Sequence, residues 1–397
     1  MKPRLIDKQI WAVGAVDFDR RMFDALIPLP DGTSYNAYLL RGSEKTALVD
    51  TVDPAFGPVL MDNLRDVPTL DWIVSNHAEQ DHSGMIPAVL EKYPRAKVVC
   101  SPKAKSMLGD HLGIAADRIQ TAEDGSTLSL GDLTLEFIST PWVHWPETMS
   151  TFVRERGLLL SCDFFGAHIA QTDPFVDDDK LIYDAAKRYF AEIMMPFRTA
   201  IQKNLERLSR YGIKMIGPSH GPIHRRPEFI QNEYKEWVSD TPANAAVVAY
   251  ISMHGSTSIM VRRLVAELAG RGVRVAQFDL ADTDSGKLAM ALVDAATIVL
   301  AGPAIHIGLH PKVANAAFLA NAIRPKAKFA SYVGSYGWGQ KLIEQLQSLL
   351  TNLKVEFIPP VICRGLPKET DLAAVDALAA AVAAKHAAAG CNDTTCR

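Results

Sequence analysis

Apolar positions fall into short runs in the first half of the chain and into a regular alternation in the second. Runs bounded by turn residues predict strands over 36–40, 46–52, 71–75, 97–100, 134–139, 151–154 and 158–162. Helical spacing follows over 85–92, 179–193 and 199–211, and an amphipathic stretch covers 229–238. Strands paired in meanders with helices outside predict an α+β layered domain. The second half alternates: strands over 247–251, 273–280, 297–301, 328–333 and 355–358, each followed by a helical pattern. The helices are expected over 259–271, 285–294, 311–322 and 339–349, then in a final Ala-rich segment capped by Thr370, with Asp371 in its first turn. Five such units predict a doubly wound parallel sheet, an α/β domain. The change of pattern near Ser239-Asp240-Thr241-Pro242 divides the chain into domains 1–242 and 243–390, with a flexible tail over 391–397.

Composition narrows the class. Of 397 residues, 48% are apolar and 22% charged, enough for two filled cores. The 42 basic and 45 acidic side chains leave a net charge of −3, which gives no electrostatic footprint for nucleic acid. No apolar run reaches the ~18 residues of a membrane span. The first residues, Met1-Lys2-Pro3-Arg4-Leu5-Ile6-Asp7, lack the apolar core of a secretory signal. The 5 Cys are scattered, as expected of a reducing cytoplasm rather than a disulfide framework.

The densest chemistry lies in His77-Ala78-Glu79-Gln80-Asp81-His82, after the strand at 71–75. In an extended segment side chains two apart share a face, so His77, Glu79 and Asp81 can converge, with His82 at the turn into a helix. Burying four such groups together is costly without a cation. His144, Asp163 and His220 occupy similar strand-end contexts. Four imidazoles and three carboxylates suffice for two metals, with Asp163 as a bridge. A nitrogen and oxygen set without thiolate favours iron or manganese over structural zinc.

In the second half, Met253-His254-Gly255-Ser256-Thr257-Ser258 opens a helix after a strand. Amides and hydroxyls at a helix N-terminus form an anion site. The run has neither the Lys of a nucleoside-triphosphate loop nor Gly-x-Gly-x-x-Gly, so a single terminal phosphate such as that of FMN fits it better. Two more loops belong at the same sheet edge, one with Pro303, Ala304, Ile305, His306 and Gly308, the other with Ser335, Tyr336, Gly337, Trp338 and Gly339. Their glycines admit a flat ring, and Tyr336 and Trp338 offer aromatic faces.

With these motifs, His-x-Glu-x-Asp-His, His-Trp-Pro-Glu, an Asp ahead of Phe-Phe-Gly, and Pro-Ser-His-Gly, the sequence resembles the flavodiiron proteins. The resemblance covers nearly the whole chain. It implies a metallo-β-lactamase-like αββα sandwich followed by a flavodoxin-like sheet, with Glu79 where zinc hydrolases carry His. It further implies that His77, Glu79 and His144 bind one iron, that Asp81, His82 and His220 bind the other, and that Asp163 bridges them. Ser256 to Ser258 match the family's phosphate loop. His168 is a candidate proton donor beside Asp163, and His224 a supporting or surface residue.

The implied activity is reduction of dioxygen to water or of nitric oxide to nitrous oxide. Two ferrous ions and reduced FMN together hold the four electrons that dioxygen needs, and the irons alone hold the two that coupling of two NO molecules needs. Paired Cys-x-x-Cys motifs are missing from the sequence, so the implied electron source is a separate rubredoxin-like protein or a reduced deazaflavin cofactor. Members form head-to-tail homodimers or dimers of dimers. One rival reading is a zinc hydrolase of lactamase or glyoxalase type fused to a flavodoxin-like module. Another is an electron carrier or gas sensor without turnover.

Overall fold

The computed structural model describes residues 2–176 and 178–391; residues 392–397 of the expected tail lie outside the described residues. The chain divides into two compact units, one of Met1–Phe190 with Phe197–Val238 and the other of Ala191–Pro196 with Ser239–Arg397.

In the first unit a seven-stranded and a five-stranded sheet form the two inner layers. Period-two alternation assigns each strand's side chains to two cores. Leu39, Leu48, Ile73 and Val98 face the helices Gly57–Asn63, Ile86–Lys92 and Pro102–Leu112. Their neighbours Tyr38, Leu40, Ala47, Val49, Val74 and Val99 meet Leu135, Phe137, Val153, Leu158 and Leu160 of the second sheet. Each such fully buried aliphatic side chain contributes about 1.5–3 kcal/mol of transfer free energy. The strands Thr46–Val49, Trp72–Ser75 and Lys97–Cys100 run parallel, as do Leu158–Cys162 and Met215–Pro218. Their carboxyl ends therefore lie at one edge of the two layers, and the loops that leave them carry the candidate ligands. The helix expected over 179–193 is regular over Asp179–Tyr189 and widens into a π turn over Phe190–Met194.

In the second unit the strands follow the order of the flavodoxin-like topology: Arg274–Asp279, Ala243–Tyr250, Ala295–Pro303, Phe329–Tyr336, then a split fifth strand. The fifth strand consists of Glu356–Phe357 and Val361–Arg364, because Pro359 and Pro360 cannot donate to the ladder. Ala246, Val248, Val299, Ala301 and Val333 pack on the helices Ser256–Gly270 and Glu369–Ala388. The helices Ser285–Leu292 and Pro311–Ile323 pack on the same strands separately from that cluster. One expectation is corrected: Lys368, not Thr370, caps the last helix, because Asp371 at its third position reaches back to the Lys368 amide at 2.8 Å.

Candidate functional site

Each candidate ligand sits where a strand ends. His77 follows Trp72–Ser75 by one residue beyond Asn76, and Glu79 is the N-cap of the one-turn helix Gln80–Ser83, which carries Asp81 and His82. Asp163 follows Leu158–Cys162, His220 follows Met215–Pro218, and His144 lies between Thr134–Ser139 and Met149–Val153. Non-glycine residues with positive φ gather at these loops: Asp50 (56°), Trp142 (62°), Cys162 (56°) and Phe165 (68°). Such strained backbone persists where surrounding structure holds it and clusters at functional sites. Gly221, next to His220 at φ 78°, could not carry a Cβ, which would lie 2.6 Å from the Ala167 carbonyl oxygen.

The seven side chains form two groups, one of His77, Glu79, His144 and Asp163, the other of Asp81, His82 and His220. The helical turn explains the division. It rotates Asp81 and His82 away from His77 and Glu79, so the single shared face expected for His77, Glu79 and Asp81 becomes two faces. In the first group Glu79 Oε2 lies 3.0 Å from His77 Nε2 and 3.1 Å from His144 Nε2. Asp163 Oδ2 lies 3.6 Å and 3.5 Å from the same two nitrogens. In the second group Asp81 Oδ2 lies 3.1 Å from His220 Nε2 and 3.3 Å from His82 Nε2. Asp163 Oδ1 lies 3.5 Å and 3.0 Å from those nitrogens. The two oxygens of one buried carboxylate thus face two separate sets of imidazoles.

The donor set fits metal ions. Both oxygens of Asp81, both oxygens of Asp163 and both nitrogens of His82 are buried without a hydrogen-bond partner. They come close to one another yet do not align as hydrogen bonds. Metal bonds of about 2.1 Å place neighbouring donors about 3.0 Å apart at right angles and about 3.4 Å apart at tetrahedral angles, close to the 3.0–3.6 Å seen here. Charge agrees with geometry. Burial works to lower the His77 pKa, but hydrogen bonds to Glu147 and Glu79 hold it up at about 10. Against the same desolvation, the charges of Asp81 and Asp163 hold His82 at about 9, and Asp163 with Glu79 holds His144 at about 10. Burial alone would raise Asp163, yet the His82 charge and the neighbouring imidazoles keep it well below the usual carboxylate range. The cavity is a negative field that takes positive charge.

Behind the ligands stands a supporting layer that sequence reasoning did not assign. Glu147 Oε1 accepts from His77 Nδ1 at 2.6 Å and from the Ala78 amide at 3.1 Å. Its presence in the His-Trp-Pro-Glu motif was the available signal. Buried Asp50 accepts from the Asn76 amide at 2.8 Å and from Asn76 Nδ2 at 3.1 Å, and Thr151 donates to Asn76 Oδ1 at 2.8 Å. Together they fix the segment entering His77. Desolvation lifts Asp50 to about 6. His220 Nδ1 donates to the Ser34 carbonyl at 2.7 Å, which leaves Nε2 facing the carboxylates. His168 pairs through Nδ1 with the Thr33 hydroxyl at 2.9 Å, leaves Nε2 unpartnered, and has its ring 4.7 Å from that of His220. Burial pushes His168 well below its ordinary pKa, so its ring is neutral, with a single N–H on Nδ1 or Nε2. His224 lies outside both groups, buried, with Nε2 donating to the Phe165 carbonyl at 3.2 Å. Cys162 is within ligand range of His82 and Asp163, a thiol that the tally of donors from sequence did not contain.

In the second unit the three expected loops leave adjacent parallel strands at their carboxyl ends. The first two of these strands flank the point where strand order reverses, the usual ligand crevice of this topology. Gly255, at φ 90°, precedes the helix Ser256–Gly270, and Ser252 Oγ accepts from the amides of Gly255 and Ser258 at 3.2 and 3.3 Å. The first-turn amides of Ser256 and Thr257 belong to those a helix cannot satisfy internally, and with the Thr257 and Ser335 hydroxyls, 3.4 Å apart, they suit a phosphate. Met253, His254 and Gly337 are exposed beside them. Ile305 and Gly308 exchange backbone hydrogen bonds at 2.9 and 2.8 Å, which closes a tight turn over His306 and Ile307 at φ 46° and 69°. Ala304 N donates to the Ser335 carbonyl at 2.8 Å, tying Pro303 and Ala304 to the third loop. That loop exposes 82% of Trp338 between Gly337 and Gly339, and Tyr336 is half-buried. An open aromatic surface beside bare amides fits a flat phosphorylated ring.

Fold and site together define a binuclear metal centre on a metallo-β-lactamase-like sandwich with a flavodoxin-like companion. The family described as "ODP family beta lactamase" matches residues 33–221. The nitric oxide reductase of Moorella thermoacetica is 36% identical over 97% of this chain and 99% of its own. The rubredoxin oxygen:oxidoreductase of Desulfovibrio gigas superposes with a TM-score of 0.94 at 29% identity, over 98% of this chain and all (100%) of that one. The flavodiiron protein of Giardia intestinalis shares the fold, with a TM-score of 0.89 at 24% identity over 98% of both chains. The chain belongs to the flavodiiron proteins.

Proposed function

We propose that this protein reduces dioxygen to water, nitric oxide to nitrous oxide, or both, at a non-haem diiron centre recharged through FMN. The observation that carries the reading is the division of Asp163, one oxygen toward His77 and His144 and the other toward His82 and His220. The residues we assign are His77, Glu79 and His144 for one ion, Asp81, His82 and His220 for the other, and Asp163 for both. When bound, the irons supply electrons and a Lewis-acidic seat for a diatomic gas, and FMN supplies the electrons that restore them.

The chain's own groups do the rest. Glu147 and the Ser34 carbonyl hold His77 and His220 in one tautomer and one orientation. Phe23, Tyr35 and Tyr189 are buried around His168 and His220 and exclude bulk water. His168, steadied by Thr33 at Nδ1, is the proton donor we assign near Asp163. We assign the metal chemistry to residues 1–242 and the flavin, held by the 253–258, 303–308 and 335–339 loops, to residues 243–390. A homodimer or dimer of dimers in the cytoplasm, fed by a rubredoxin-like protein or a reduced deazaflavin, completes the reading. Among the described residues no helix is long and apolar enough to cross a membrane.

The test is gas consumption by the anaerobically reduced protein, with iron and flavin counted in the same sample. Rapid uptake of dioxygen or NO by protein holding two irons and one FMN per chain supports the assignment. Two zincs in a colourless protein support the hydrolase instead, and reduction without uptake supports the carrier.

A further inference from the structure

The iron assignment leaves one converging donor unused. Cys162 ends the strand Leu158–Cys162 with its backbone turned to φ 56°, and only 1% of the residue is exposed. Its Sγ, a nitrogen of His82 and an oxygen of Asp163 all lie within 4.8 Å of one another. His82 turns Nε2 toward Asp81 and Asp163, while its Nδ1 is buried and meets no hydrogen-bond partner. A nitrogen and oxygen centre built on Nε2 accounts for neither that Nδ1 nor the sulfur.

We propose that Cys162, His82 and Asp163 form an alternative capture site for thiophilic divalent ions, of which Zn2+ and Cd2+ are the natural candidates. Soft thiolate ligands select such ions over the harder ions preferred by imidazole and carboxylate alone. Bonds of about 2.3 Å to sulfur and about 2.1 Å to nitrogen and oxygen place donors about 3.6 Å apart at tetrahedral angles, so side-chain movements of no more than about 1 Å close the site. On binding, the S–H bond breaks and the metal–sulfur bond forms. The proton leaves to solvent, and no oxidation state changes. Because both modes draw on the one His82 ring and the Asp163 carboxylate, they compete for these groups. A thiophilic ion held by Cys162 takes His82 and Asp163 before a second ion can share them with Asp81 and His220. The capture belongs to the metal-free chain and holds or fails apart from the diiron reading.

The experiment titrates the full-length, metal-free protein with Co2+ and follows the near-ultraviolet sulfur-to-cobalt charge-transfer band, with Cd2+ as competitor. The wild type develops the band to one equivalent, Cys162→Ser and Cys162→Ala lack it, and both variants bind Cd2+ at least tenfold more weakly. FMN content and melting temperature verify that the variants fold. X-ray absorption of the zinc-loaded wild type provides a readout independent of any variant: one sulfur at about 2.3 Å from the metal. A wild type without the band, a folded variant that keeps it, or a zinc shell of nitrogen and oxygen alone overturns the proposal, whatever the iron content.

Discussion

Replacing Glu147 separates a positioning role from mere core packing. Its Oε1 accepts a 2.6 Å hydrogen bond from His77 Nδ1 and a 3.1 Å bond from the Ala78 amide, while Oε2 is buried without a partner. Glu147→Gln preserves the shape and leaves an amide oxygen to accept from His77. It removes the charge, however, and puts an NH2 where no acceptor waits. A hydrogen bond to a charged group is worth about 1.5–3 kcal/mol and a neutral one about 1 kcal/mol. The substitution therefore weakens His77 as a ligand by about 1–2 kcal/mol, or about 5–30-fold in the affinity of the ion at His77, Glu79 and His144. Glu147→Ala removes both bonds and frees the ring to rotate, with a loss of about 10–100-fold. Chelator competition with Fe2+ under anaerobic conditions measures both constants, and FMN content and thermal melts monitor the fold. If both variants bound the first ion with wild-type affinity, His77 would be oriented by other contacts and the argument from Glu147 would be wrong.

Further outcomes follow from other contacts. Asp163→Ala, which removes the shared carboxylate, is expected to leave less than one iron per chain while FMN is retained, by metal analysis and absorbance. Gly14→Ala places a Cβ 2.1 Å from the Tyr35 carbonyl oxygen and lowers stability by at least about 1–3 kcal/mol in denaturant unfolding, because backbone must shift. Gly255→Ala forces φ 90° on an L residue beside the phosphate loop and weakens FMN binding in a flavin fluorescence titration by about tenfold, a cost of about 1–2 kcal/mol. His386 donates from Nδ1 to Asn244 Oδ1 at 2.9 Å and accepts at Nε2 from the Thr297 hydroxyl at 2.6 Å. Burial lowers its pKa to about 4 from 6.5. Its neutral form thus stabilises the fold fully above the unfolded value, and that contribution, about 3 kcal/mol, is lost as pH falls from 6.5 toward 4; melts across this range should flatten in His386→Gln.

The sequence made the two sheet classes readable because hydrophobic period tracks secondary structure directly. The uninterrupted apolar run of the strand Ala295–Pro303, buried on both faces of a parallel sheet, and the length of the helix Pro311–Ile323 are local properties. The gathering of His77, Glu79, Asp81 and His82 was readable from their density in one short segment at a strand end. Their partition was not: it depends on a single helical turn, Gln80–Ser83, too short for any periodic signal. Glu147, Asp50 and Cys162 escaped assignment because their roles arise between distant elements. Glu147 lies 70 residues from its partner His77, and Cys162 meets His82, 80 residues away in sequence, at a strand end where its backbone turns to φ 56°. The cap at Lys368 was misplaced to Thr370 because hydroxyl preference at helix starts is a statistical rule, and here the reciprocal bond from Asp371 outweighs it.

The central claim is that one carboxylate couples two irons. Electron paramagnetic resonance of the half-reduced protein tests it most directly. The account predicts a mixed-valence signal from a spin-coupled ferric–ferrous pair in the wild type, absent in Asp163→Ala. A spectrum of isolated ferric ions in the wild type, at two irons per chain, would contradict it.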